Sequence, residues 1–137
     1  MKLNPHLSFD GRCEEAFTFY EKLFGGKILF TLTYERSPMA EQVPADWRKK
    51  ICHTTFAIDN MLLTGADTMT EDYRKPQGVS VLLQFDDVAE AERIFNSLAR
   101  NGEIQKPIQE TFWAVRFGMV VDQFGTPWII NCGRVGM

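Results

Sequence analysis

The hydrophobic pattern changes period several times along the chain. Leu3 to Phe9 alternates, with Leu7 and Phe9 on one side and His6 and Ser8 on the other, as in a half-buried strand. Ala16, Phe17, Tyr20, Leu23 and Phe24 then recur at helical spacing. Asp10 is placed to cap that helix, Glu14 and Glu15 suit its first turn, and Gly25-Gly26 stops it. Strands are predicted over Lys27 to Glu35, Ile51 to Ile58 and Met61 to Thr64, the last two joined by an Asp59-Asn60 turn. Arg36 to Lys50, with Pro38 and Pro44, reads as a polar loop.

The same order returns. Val79 to Phe85 reads as a strand. Asp87 and Glu90 resemble a capping box, and Val88, Ala91, Phe95 and Leu98 make a buried stripe that Asn101-Gly102 ends. Strands follow over Glu103 to Gln109, Val115 to Val121 and Pro127 to Cys132, with a turn at Asp122 to Gly125. Phe9-Asp10 recurs as Phe85-Asp86 and Gly26 as Gly102; Leu7/Leu83 and Phe19/Phe95 share that offset of 76 positions. The chain therefore reads as α+β. Two β-α-β-β-β modules, about 1–67 and about 79–137, flank a linker of about 68–78 in one domain, since neither half can bury a core alone.

Composition narrows the function. A net charge of −3 without a basic stripe argues against nucleic acid. No run approaches the ~18 apolar residues of a membrane span, and the amino-terminal segment is too short and polar for a signal peptide. Cys13, Cys52 and Cys132, with no C-x-x-C, suit reduced thiols filling a core in a cytoplasmic protein. No serine nucleophile motif, P-loop or G-x-G-x-x-G occurs.

Several segments carry a family likeness: Pro5-His6-Leu7-Ser8-Phe9-Asp10-Gly11, Ala16 through Phe19-Tyr20 to Gly26, Gln109 to Ala114 with Phe117-Gly118, and Asp122 to Asn131. Through them the chain resembles the vicinal oxygen chelate superfamily (glyoxalase I, extradiol dioxygenases, bleomycin-binding proteins), and within it the PhnB-like branch. The resemblance implies paired modules whose sheets curl into an open barrel around a ligand pocket, in a homodimer. It also brings a demethylubiquinone methyltransferase label, for which the chain offers no glycine-rich loop to hold S-adenosylmethionine.

Metal-dependent members of the superfamily take His or Glu ligands from the first and last strands of each module. Here those positions fall on Asn4 or Pro5, on Leu62 or Thr64, on Ser80 and on Ile129, none of which is a His or a carboxylate. No resident metal or cofactor is expected in the usual place. An off-pattern divalent site would use His6 and His53, the only histidines, with Glu110 or Asp67. Otherwise the two histidines hydrogen-bond within a polar pocket that also holds Thr55, Ser80 and Asn131. Glu110, Phe112, Trp113 and Arg116 form a second cluster, with Trp113 placed to stack on a flat ligand and Arg116 to meet an anion. Glu110 there is a base, or an answer to a cationic ligand; alternatively it pairs with Arg116 and the aromatics are packing. Trp47 is a lid or a dimer contact, and Trp128 packs under a helix. Three functions stay open: small-molecule binding without metal, a metal-dependent lyase, isomerase or dioxygenase, and a non-catalytic interaction protein.

Overall fold

The computed structural model describes residues 1–133. It divides between Arg74 and Lys75 into two units. In the first, β1 (His6–Phe9) leads into α1 (Cys13–Phe24), then β2 (Lys27–Thr33), β3 (Ile51–Ile58) and β4 (Met61–Asp67). In the second, β5 (Val81–Phe85) leads into α2 (Val88–Ala99), then β6 (Glu103–Gln109), β7 (Ala114–Val121) and β8 (Pro127–Gly133). Each unit is one four-stranded sheet, ordered β1-β4-β3-β2 and β5-β8-β7-β6, with a single parallel pair between its first and last strands. This is the α+β, twice-repeated β-α-β-β-β arrangement expected from the pattern.

The differences from expectation have local causes. β1 starts at His6, not Leu3, because only His6 to Phe9 find partners on β4. β4 runs on to Asp67 for the same reason. β2 stops at Thr33, and three short 3-10 turns (Tyr34–Arg36, Ala40–Gln42, Ala45–Trp47) fill the loop. There Trp47 packs edge-on against Tyr34, with ring centres 6.4 Å apart.

Asp10 does not cap α1. The N-cap is Arg12, whose side chain makes no capping bond, and the exposed amides are met instead by Asp67. Its carboxylate accepts from the backbone N–H of Gly11 and Cys13, at 3.0 and 2.9 Å, and from Ile51 at 2.9 Å. A buried carboxylate from β4 thereby ties helix, loop and sheet together. Asp87 does cap α2, accepting from the Glu90 N–H at 2.9 Å. The Glu90 side chain completes no capping box; it pairs with Arg93.

One face of each sheet packs under its helix. Cys13, Ala16, Phe17 and Tyr20 are buried in α1, and Ala91, Ile94, Phe95 and Leu98 in α2. Phe19, which shares the 76-residue offset with Phe95, is half-buried, while Phe17 and Phe95 play similar packing roles from different helix positions. Each ring lies over a glycine: a Cβ on Gly65 would strike Phe17, and one on Gly118 would strike Phe95. The three cysteines are free, and Cys13 and Cys132 are buried. Burial, with Asp67 and Glu14 nearby, pushes the Cys13 thiol pKa well up, as suits a core filler. No described helix is long and apolar enough to cross a membrane.

The outer strands differ. β6 carries Glu103, Lys106 and Pro107 along its edge, whereas β2 exposes Leu29 (58%) and Phe30 (51%).

Candidate functional site

The face of the first sheet turned away from α1 collects the polar residues singled out from sequence. Strand alternation puts His53 and Thr55 opposite Phe56, whose ring packs against Phe17 of α1. The parallel β1–β4 register places His6 across from Thr64, and the antiparallel β3–β4 register places Thr55 on the other side of Thr64. His6, Thr64, Thr55 and His53 therefore form one patch. The imidazoles lie nearly parallel, 14° between planes, with centres 6.2 Å apart. Phe30 flanks His53 at 6.2 Å.

Hydroxyls hold both rings. His6 Nδ1 lies 2.7 Å from Thr64 Oγ1, and His53 Nε2 lies 3.1 Å from Thr55 Oγ1. Thr64 also donates to the Pro5 carbonyl at 3.3 Å. Spending its proton there leaves the hydrogen of neutral His6 on Nδ1 and a lone pair on Nε2. Among the described residues, His6 Nε2 and His53 Nδ1 are the unbonded nitrogens of the pair. Burial, and then the neighbouring His53, hold the His6 pKa below the ordinary histidine value, so His6 favours the neutral imidazole.

The off-pattern metal set is not completed. Asp67, proposed as a third ligand, sits on the other side of the sheet with its carboxylate spent on three backbone amides. Among the described residues no three His, Cys, Asp or Glu side chains gather to hold a metal ion. Register pairs His6 with Thr64 and Leu82 with Ile129; Asn4 and Pro5 precede β1, and Ser80 precedes β5.

In the second unit, Trp113 is braced edge-on by Phe112 and Phe117, with centres at 4.6 and 5.1 Å. Phe112 is 89% exposed, so this aromatic cluster is not core packing alone. Arg116 does not pair with Glu110 in a structural bridge; its Nε donates to Glu92 of α2 at 3.1 Å, and its Nη1 to the Val115 carbonyl. It belongs to the helix side of the sheet and not to the face that carries Phe117. Glu110 is exposed just after β6, and Ser80 is half-buried just before β5. Asn131 lies across from Phe117 and from Gln84, to whose Oε1 it donates at 2.9 Å. Its Oδ1 is buried without a hydrogen-bond partner among the described residues. Gln84 was missed from sequence because nothing in its strand marks it; only the register shows it beside Asn131. Trp128 is buried as expected, donating from Nε1 to Asp122 at 2.8 Å.

Residues 1–131 match the protein family described as 3-demethylubiquinone-9 3-methyltransferase. Protein YjdN of Escherichia coli (strain K12) is 35% identical over 139 residues, covering 96% of this chain and 95% of that protein. The crystal structure of protein PA1353 from Pseudomonas aeruginosa superposes with a TM-score of 0.88 at 40% identity, covering 97% of this chain and 98% of that one. A PhnB protein from Bacillus cereus gives a TM-score of 0.82 at 24% identity, covering 96% and 98%. The fosfomycin resistance protein FosX from Mesorhizobium loti, at 10% identity and a TM-score of 0.63 over 98% and 93%, shares the fold. By its sequence match and its doubled β-α-β-β-β architecture, the chain belongs to this 3-demethylubiquinone-9 3-methyltransferase family, the PhnB-like branch of the vicinal oxygen chelate superfamily.

Proposed function

We propose that the protein binds a small molecule through the histidine-bearing face of its first sheet, without a divalent metal. The observation that carries this reading is the braced imidazole pair. Two nearly parallel rings are fixed by threonine hydroxyls, and each keeps one nitrogen for a guest. Preorganised groups of this kind lower the entropy cost of binding. In the second unit the braced Trp113 supports contact with a flat ligand. A homodimer, in the cytoplasm, accompanies the reading.

A thermal-shift screen of planar and cationic compounds tests it. We expect a compound that raises the Tm of the wild type and not of the His6→Ala/His53→Ala double variant. A screen in which no compound shifts the wild type sinks the proposal.

The closeness of the two histidines favours a second reading, a lyase, isomerase or dioxygenase built on an off-pattern metal. Metal analysis after exposure to Zn²⁺, Ni²⁺, Mn²⁺ and Fe²⁺ separates the two. We expect no stoichiometric metal; one ion per chain, lost on mutating either histidine, would establish the second reading. The methyltransferase activity in the family's description is not part of our proposal. Both strand-to-helix connections, at Asp10-Gly11-Arg12 and Asp86-Asp87, lack the glycine-rich turn that cradles a nucleotide-like cofactor. Labelled S-adenosylmethionine should leave no label on a quinol acceptor.

A further inference from the structure

Behind the first sheet, on the face opposite the histidines, α1 leaves Ile28 of β2 half-buried and Thr31 exposed, while Thr54 of β3 is buried. Phe17 seats over Gly65 of β4, so the helix-facing side chains of Ile28, Thr31 and Thr54 border a cleft of about 300 Å³. That is the lower end of ligand-cavity sizes, roughly 300–1,000 Å³. Phe17 and Ile51 supply apolar wall, and Glu14 and Thr18, one helical turn apart, form the rim on α1.

The hydrogen bonds fix the polarity of this cleft. Thr54 Oγ1 donates its one proton to the Phe30 carbonyl at 3.0 Å. The 3.1 Å bond between the Thr31 and Thr54 hydroxyls must then be donated by Thr31. Thr31 is left with lone pairs only. Glu14, ionised, is also an acceptor only, and it makes no salt bridge among the described residues. The cleft thus sets two acceptors, one of them a full negative charge, and the Thr18 hydroxyl, which can donate or accept, beside apolar walls. Its complement is a compact head with several N–H donors and a positive charge, on a short hydrocarbon stem.

We propose that this cleft binds small primary alkylammonium ions, with the ammonium on Glu14 and Thr31 and the alkyl chain along Phe17, Ile28 and Ile51. The site is separate from the histidine face and does not depend on what that face binds.

Titration of the ¹⁵N-labelled full chain with n-pentylammonium chloride tests it by amide shifts. Saturable shifts are expected at Thr18, Thr31 and Thr54. Glu14 is exposed, so Glu14→Gln should keep the wild-type spectrum while weakening binding about tenfold, the scale of one charge-assisted contact. Pentan-1-ol, with the same stem and no charge, should be weaker by a similar factor. The proposal is overturned if no saturable shift appears, if Glu14→Gln binds as well as wild type, if pentan-1-ol matches the amine, or if the shifts gather at His6 and His53.

Discussion

Position for position, the two sheets present opposite chemistry on the same face. Register equates His6 with Leu82, Thr64 with Ile129, Thr55 with Met119 and His53 with Phe117. At these four positions the histidines and threonines of one unit are replaced by aliphatic and aromatic residues in the other, where Gln84 and Asn131 supply the polar groups of that face. The helix sides vary differently. The cross-strand pair under the helix is Gly65–Thr54 in the first unit and Ile130–Gly118 in the second. Each unit keeps a glycine beneath a phenylalanine but takes it from the neighbouring strand, β4 in one case and β7 in the other. The repeat thus preserves a packing solution and leaves the far face free to specialise.

The buried carboxylates provide the strongest test of how far the units are held by different means. Asp67 accepts from three backbone amides that join helix, loop and sheet, whereas Asp122 accepts from the Phe124 and Thr126 amides and the Trp128 indole within one turn. Each substitution strands three donors, so Asp67→Ala and Asp122→Ala should each cost about 3 kcal/mol or more in urea unfolding, because an unmet buried donor costs ~1–3 kcal/mol. Only Asp67→Ala should also loosen the start of α1, read as faster amide exchange at Cys13. A loss below about 1 kcal/mol from either would show that its carboxylate does not hold those donors.

The glycine seats come next in size. Gly65→Ala and Gly118→Ala each drive a methyl into a buried ring, and each should cost about 1–3 kcal/mol. Gly65→Ala should be partly relieved by Phe17→Leu, and Gly118→Ala by Phe95→Leu; relief across units would show that the wrong residues have been paired.

The smallest effect concerns the histidine face alone. His6 should titrate below the ordinary histidine value by NMR, and His53→Ala should move it up by removing the second cause of its depression. The sign for stability follows. A histidine whose folded pKa lies below its unfolded one contributes fully at pH above the unfolded value, and loses that contribution as pH falls through it toward the folded value. A His6 pKa unmoved by His53→Ala would mean that the rings do not sense each other.

Much of the architecture was legible in the sequence because the periods of 2 and 3.6 are set by the residues themselves. The strands of β3 and β6 and the ends of both helices followed from alternation and from Gly25 and Asn101-Gly102. The joint placement of His6, His53 and Thr55 was also legible, since alternation alone put both histidines away from Phe56. What was not legible depended on contacts distant in sequence. Asp67 looked like a possible ligand because nothing local says that its carboxylate will be consumed by Gly11, Cys13 and Ile51. Arg116 looked free to meet an anion because Glu92 lies a whole strand away.

The contrast between the outer strands bears on how the chain behaves before it is fully folded. β6 ends its sheet with charge and a proline that cannot extend a ladder, while β2 ends its sheet with Leu29 and Phe30 turned to solvent. Colloidally, β6 is the better guarded of these two borders, although it too exposes Ile104, and β1 and β5 form the opposite borders of the two sheets. Recruitment of further strands, whether ordered assembly or aggregation during refolding at high concentration, would begin at β2, and a lysine at position 29 would be the conservative way to close it.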